Sequence, residues 1–139
     1  MRKLMIFKLS IVAAVALLLA GCAEPPYTNL DNEGLQRLLA HDVPVVDIRR
    51  PEEWRETGVV EGSERMTFVD ANGRLKPGFM QRFAQRFDPN EPVVLICRTG
   101  NRTDVLGRHL VEQMGYTQVY NVRNGIVEWI RRGNPVSRG

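Results

Sequence analysis

Cys97 directly follows four consecutive apolar residues, Val93-Val94-Leu95-Ile96, and directly precedes Arg98-Thr99-Gly100-Asn101-Arg102-Thr103. The apolar run reads as a buried parallel strand. Residues 102–114 read as a helix, because Leu106, Leu110 and Met114 recur at i, i+4 and i+8. A strand–loop–helix turn gathers backbone N–H groups at the positive end of a helix, which favours an anion there. Gly100 permits the left-handed backbone that lets such a loop curl. Arg98 and Arg102 add two positive charges. Together these features are expected to stabilise a Cys97 thiolate, a nucleophile at the bottom of an electropositive cup. The same cup would hold an anionic substrate through residues 98–103. Thr103 is open to two roles, helix cap or hydrogen-bond donor to the Cys97 sulfur. Asn101 is expected to act through its backbone, and Arg102 either binds substrate or anchors the loop.

The elements around this loop must hold it in place. Leu35, Leu38 and Leu39 give helical spacing within 31–41, and the β-branched stretch 43–48 predicts a buried strand. Pro51 suits the first turn of a helix through Trp54 that Gly58 stops. Val59-Val60 is a candidate for a very short strand, and Pro77 for the start of a helix with Phe79, Met80, Phe83 and Phe87 on one face. Residues 119–122 read as a strand, and 125–132 as a helix carrying Ile126, Trp129 and Ile130. Strands alternating with helices predict an α/β fold, an open and mostly parallel sheet of about five strands with helices on both faces. An isolated α+β sheet is the alternative. Asp47, near a strand end, is expected to orient the cysteine loop by accepting hydrogen bonds. Arg49 supports the loop in the same way or pairs with Glu53 across the helix start. His41 and His109 have no metal-ligand spacing to a Cys or carboxylate, so no metal site is expected.

The chain has 139 residues, 19 Lys and Arg, 16 Asp and Glu, and a formal charge of +3. That length allows a single domain. Arg2, Lys3 and Lys8 account for the whole excess, so the chain beyond them is formally neutral and nucleic acid is not an expected partner. The same three residues flank or interrupt an apolar stretch. Residues 11–20 would rise about 15 Å as a helix, half of a bilayer core, which fits a signal-peptide core better than a membrane span. Leu19-Ala20-Gly21-Cys22 resembles the bacterial lipobox. That resemblance implies cleavage before Cys22, diacylglycerol on its sulfur, acylation of the new N-terminus and stable membrane anchoring. Ala23 stands where an Asp would resemble an inner-membrane retention signal, so the expected location is the outer membrane facing the periplasm, if the cell has two membranes. The expected organisation is a signal peptide over 1–21, a lipidated tether over 22–29, a domain over 30–136 and a tail over 137–139. Lipidation of Cys22 leaves Cys97 with no partner for an internal disulfide.

Three separate motifs resemble the rhodanese superfamily of sulfurtransferases. Cys97-Arg98-Thr99-Gly100-Asn101-Arg102-Thr103 looks like its active-site loop. Val45-Val46-Asp47-Ile48-Arg49, Glu53-Trp54 and Gly58-Val59-Val60-Glu61-Gly62 resemble its N-terminal signature. Val119-Tyr120-Asn121-Val122-Arg123-Asn124-Gly125-Ile126, Trp129 and Gly133-Asn134-Pro135-Val136 resemble its C-terminal one. Val59 stands where the family often has His, and Asn124 where it often has Gly. A single-domain exported form is similar to the periplasmic phage-shock rhodaneses. Four residues separate Cys97 from Arg102, as in sulfurtransferase members, whereas related phosphatases and arsenate reductases have five. The resemblance implies transfer of a sulfane sulfur from a small anionic donor such as thiosulfate, through a Cys97 persulfide, to cyanide, a thiol or a protein. It implies no cofactor beyond that transient persulfide. The alternative is a catalytically idle member of the family that senses sulfur or holds a partner at the membrane.

Overall fold

The computed structural model describes residues 23–138. The expected signal peptide, lipobox and Cys22 lipidation site lie outside the described residues. Twelve elements follow in chain order: β1 (Thr28–Leu30), α1 (Asn32–Ala40), β2 (Val45–Asp47), α2 (Pro51–Thr57), β3 (Val59–Val60), β4 (Glu64–Arg65), α3 (Phe79–Arg86), β5 (Val93–Ile96), α4 (Asn101–Met114), β6 (Val119–Val122), α5 (Gly125–Arg131) and β7 (Val136–Ser137).

Five strands form one sheet in the order β1-β6-β5-β2-β4, with every neighbouring pair parallel. The α/β expectation therefore holds. β5 lies at the centre, with Val45, Val46 and Asp47 of β2 opposite Val94, Leu95 and Ile96. Its side chains alternate between two packed layers, and all four residues of β5 are buried. Val93, Leu95 and Cys97 pack with Phe79 and Phe83 of α3 and Leu106 and Leu110 of α4. Val94 and Ile96 face Leu35 of α1 and Ile126 and Trp129 of α5. Helices thus cover both faces, which is why β5 reads as an unbroken apolar run.

Four strands depart from the expectations. Thr28 and Asn29, expected in the tether, pair with Tyr120 and Asn121 of β6 as the edge strand β1. The opposite edge, β4, is Glu64-Arg65, a polar pair with no apolar pattern to announce it. Val59 and Val60 do form a strand, but outside the main sheet: β3 pairs antiparallel with β7, bringing Ser137 of the expected tail opposite Val59. Helix α3 begins at Phe79 rather than Pro77, and Phe87 is its extended C-cap.

Candidate active site

Cys97 is the first residue past β5, at the carboxyl end of the parallel sheet, where open α/β folds place ligands. The loop turns at Gly100, whose φ of +94° marks the N-cap of α4. A Cβ at Gly100 would lie 2.1 Å from the Arg123 carbonyl oxygen, so no other residue fits without moving that backbone. The loop closes on the sulfur. The Gly100 N–H points at Cys97 Sγ (3.2 Å), and the Thr103 hydroxyl lies 3.3 Å from the same atom. Thr103 is fully buried and contacts the sulfur from the first turn of α4, whose N-cap is Gly100. Among the described residues Cys97 is a free, buried thiol.

A second element secures the loop from the side. The Ile126 and Val127 N–H groups donate to the Cys97 and Arg98 carbonyls (2.9 and 3.2 Å). This contact requires Gly125, because a Cβ there would meet the Arg98 carbonyl oxygen at 2.2 Å. Asn121 of β6 extends its amide towards the Gly100 carbonyl (3.5 Å). Gly125 and Asn121 were read in the sequence only as parts of a signature, because their role depends on strand order.

The two loop arginines differ. Arg98 is exposed. Arg102 is bound face to face by Glu53 of α2, Nη1 to Oε2 at 2.8 Å and Nη2 to Oε1 at 2.7 Å. Both arginines were expected to add positive charge at the loop; a carboxylate matches the Arg102 charge, in keeping with the anchoring alternative for that residue. Burial pushes the Glu53 carboxyl up, but hydrogen bonds from Arg102 and from the Arg50 N–H outweigh it and hold it down at about 2. In return Glu53 raises the already high Arg102 pKa.

Asp47 and Arg49 form a buried ion pair, Nη2 to Oδ2 at 2.8 Å, with side chains 0% and 1% exposed. Asp47 also accepts from Trp54 Nε1 at 3.1 Å, and Arg49 donates to Thr57 Oγ1 and the Gly58 carbonyl, both at 2.9 Å. None of these bonds reaches residues 97–103, so direct orientation of the loop by Asp47 is corrected. The pair instead ties down the middle and the C-terminal end of α2, through Trp54, Thr57 and Gly58, and α2 presents Glu53 to Arg102. Nor does Arg49 pair with the Glu53 carboxylate. Arg49 lies within reach of Asp47 two residues away, and Glu53 turns towards α4.

Between α2 and α5 an open cleft of about 510 Å³ leads to the loop. Arg49, Arg50, Glu53, Glu56 and Thr57 line one wall, Arg98 and Arg102 the foot, and Ile126, Val127 and Ile130 the other wall. The arrangement suits attack by a sulfur nucleophile on an anionic partner. The thiol meets one backbone donor, the Gly100 N–H, and the Thr103 hydroxyl, beside a cleft with a polar wall and an apolar wall.

The family model of the rhodanese-like domain matches residues 31–132. The chain is 34% identical over 110 residues to a sulfurtransferase of Allochromatium vinosum, covering 78% of this chain and 92% of that one. It is 34% identical over 58 residues to the thiosulfate sulfurtransferase GlpE of Glaesserella parasuis, covering 42% of this chain and 53% of the relative. The solution structure of a polysulfide-sulfur transferase homodimer from Wolinella succinogenes superimposes with a TM-score of 0.65 at 23% identity, over 90% of this chain and 88% of that one, a likeness of fold.

Proposed function

The chain belongs to the rhodanese-like domain family, and from that premise we propose that it transfers a sulfane sulfur from a donor such as thiosulfate to a thiophilic acceptor. The Cys97 thiolate attacks the outer sulfur of thiosulfate. A sulfur–sulfur bond forms at Cys97, the bond within the donor breaks, and its electron pair leaves with sulfite. The acceptor then attacks the terminal sulfur of the Cys97 persulfide and expels the Cys97 thiolate. The cycle uses no metal or organic cofactor. Among the described residues there is no second cysteine to resolve the persulfide, so the acceptor comes from outside.

The observation that carries this reading is the placement of Cys97 Sγ against the Gly100 N–H and the Thr103 hydroxyl at the start of a fourteen-residue helix. Donors held in position beside a sulfur anion stabilise it with little reorganisation. The four residues between Cys97 and Arg102 match the loop length of the family's sulfurtransferase members rather than that of its phosphatases, which supports a sulfur rather than a phosphate substrate. The exposed Arg98 in the cleft provides charge for the donor's anionic end. Steady-state thiosulfate:cyanide transfer tests the reading: the wild type turns over and Cys97→Ser does not, whereas equal turnover by both excludes it.

The same reading extends to location. Leu19-Ala20-Gly21-Cys22 supports export and lipid anchoring at Cys22, with the domain facing the periplasm from the outer membrane of a two-membrane cell. Palmitate labelling of the full chain checks this, with label expected in the wild type and absent in Cys22→Ala. Label retained by that variant contradicts it.

A further inference from the structure

Helix α5 is apolar on two sides. Ile126 and Trp129 point into the core at 1% and 3% exposure, while Val127 and Ile130 face outward at 46% and 38%. Exposed single apolar residues are ordinary. These two are one helical turn apart, and both line the cleft together with Arg98 and Arg102 of the cysteine loop. The space beside them is far larger than thiosulfate or cyanide needs. A cleft of about 510 Å³ lies in the range that accommodates several amino-acid side chains or a drug-sized ligand.

The charges of the cleft discriminate further. Arg49 is paired with Asp47, Arg50 with Glu52, and Arg102 with Glu53. The Arg98 side chain, at the foot of the cleft, makes no ion pair among the described residues. Glu56 stands on the α2 wall opposite α5. An occupant that matches this surface has an apolar side chain for α5 and a carboxylate for Arg98, with no acid facing Glu56.

We propose that the cleft takes a cysteine-bearing segment of an acceptor protein, with an apolar neighbour of that cysteine seated on Val127 and Ile130 and an acidic neighbour at Arg98. The inference rests on the sulfurtransfer reading and names its acceptor class. The acceptor cysteine loses its proton to water, and its thiolate attacks the terminal sulfur of the Cys97 persulfide. The new bond joins that sulfur to the acceptor, the Cys97 sulfur–sulfur bond breaks, and Cys97 departs as thiolate. The acceptor leaves as a protein persulfide. Because the Cys97 sulfur is nearly fully buried, an acceptor must reach down the cleft.

The test is single-turnover discharge of the persulfidated full chain, followed by mass. The probes are cyanide, glutathione, and capped cysteine peptides whose neighbours are Leu and Glu, Ala and Glu, or Leu and Lys. The Leu/Glu peptide is expected to react about 10-fold faster than the Ala/Glu peptide, the discrimination typical of a few methylenes in an apolar site. It should also outpace glutathione, and outpace the Leu/Lys peptide by a margin that shrinks at raised salt. In the double variant Val127→Ser, Ile130→Ser the Leu-over-Ala ratio falls towards one. Equal peptide rates in the wild type, glutathione as fast as the best peptide, or a ratio preserved in the double variant would overturn the inference. The peptide arms on the wild type decide it even if the double variant does not fold. Failure of cyanide to discharge the chain, or of the persulfide to form, strikes the sulfurtransfer reading instead.

Discussion

Two helix starts in this domain are built in opposite ways. Helix α2 closes its own N-terminus: Pro51 occupies the first position, and the Glu53 carboxylate accepts the Arg50 N–H at 2.9 Å. Helix α4 leaves its start open. Its N-cap is Gly100, no side chain caps it, and the Gly100 N–H faces the Cys97 sulfur at 3.2 Å. A capped helix end has satisfied its donors and is available only for structure. An uncapped end beside a thiol keeps its donors for whatever charge the sulfur develops. The two ends are connected, because the carboxylate that closes α2 also holds Arg102 in the first turn of α4.

The largest effect is expected where the open end is closed sterically. Gly100→Ala places a methyl carbon 2.1 Å from the Arg123 carbonyl oxygen in a left-handed conformation, so the loop backbone must shift. Displacements of about 1 Å in a reacting geometry cost roughly 100-fold, and thiosulfate:cyanide kcat/KM is expected to fall at least that far. Activity within a few-fold of wild type would show that the loop start need not be open.

Next comes the anchor of the capped helix, the buried pair that holds the middle and far end of α2. Asp47→Asn leaves the buried Arg49 guanidinium without its counter-charge and is expected to destabilise the domain by about 3 kcal/mol, measured by urea unfolding. A loss below about 1 kcal/mol would mean that α2 is held by packing alone.

Glu53→Gln tests the link between the two ends, with an expected loss of about 1.5 kcal/mol at neutral pH, the usual size for a charged hydrogen-bonded pair. The Glu53 carboxyl is lowered from an ordinary 4.5 to about 2 in the fold. Its contribution is therefore fully present above pH 4.5 and lost as pH falls through about 2. The gap between wild type and variant should close over that window, and a gap that is constant from pH 6 to pH 2 would contradict the assignment. Smallest of all, Thr103→Val keeps the buried volume and removes the hydroxyl, for an expected loss of up to about 10-fold in kcat/KM with stability nearly unchanged.

The same contrast explains what the sequence made legible. The open end was readable because its parts are contiguous: an apolar strand, a cysteine, a glycine and a helix follow one another within a few residues. The two covered faces of the sheet were readable from the unbroken run at Val93–Ile96. The start of α2 was readable from Pro51, but its link to the open end was not, because Arg102 and Glu53 are 49 residues apart and meet only through the strand order. Asp47 and Arg49 were recognised as supporting residues, but their target was not, since a buried side chain can turn back along its own strand. Edge strands escaped for another reason. β4 is Glu64-Arg65 and β1 is Thr28–Leu30, and a short, half-exposed strand has little apolar pattern to show.

The central claim is that the open end exists to support a sulfur anion on Cys97. Intact-mass measurement after incubation with thiosulfate tests it most directly. A gain of about 32 Da, one sulfur, is expected at Cys97, removed by cyanide and absent in Cys97→Ser. No gain in the wild type, or an equal cyanide-labile gain in Cys97→Ser, would contradict it.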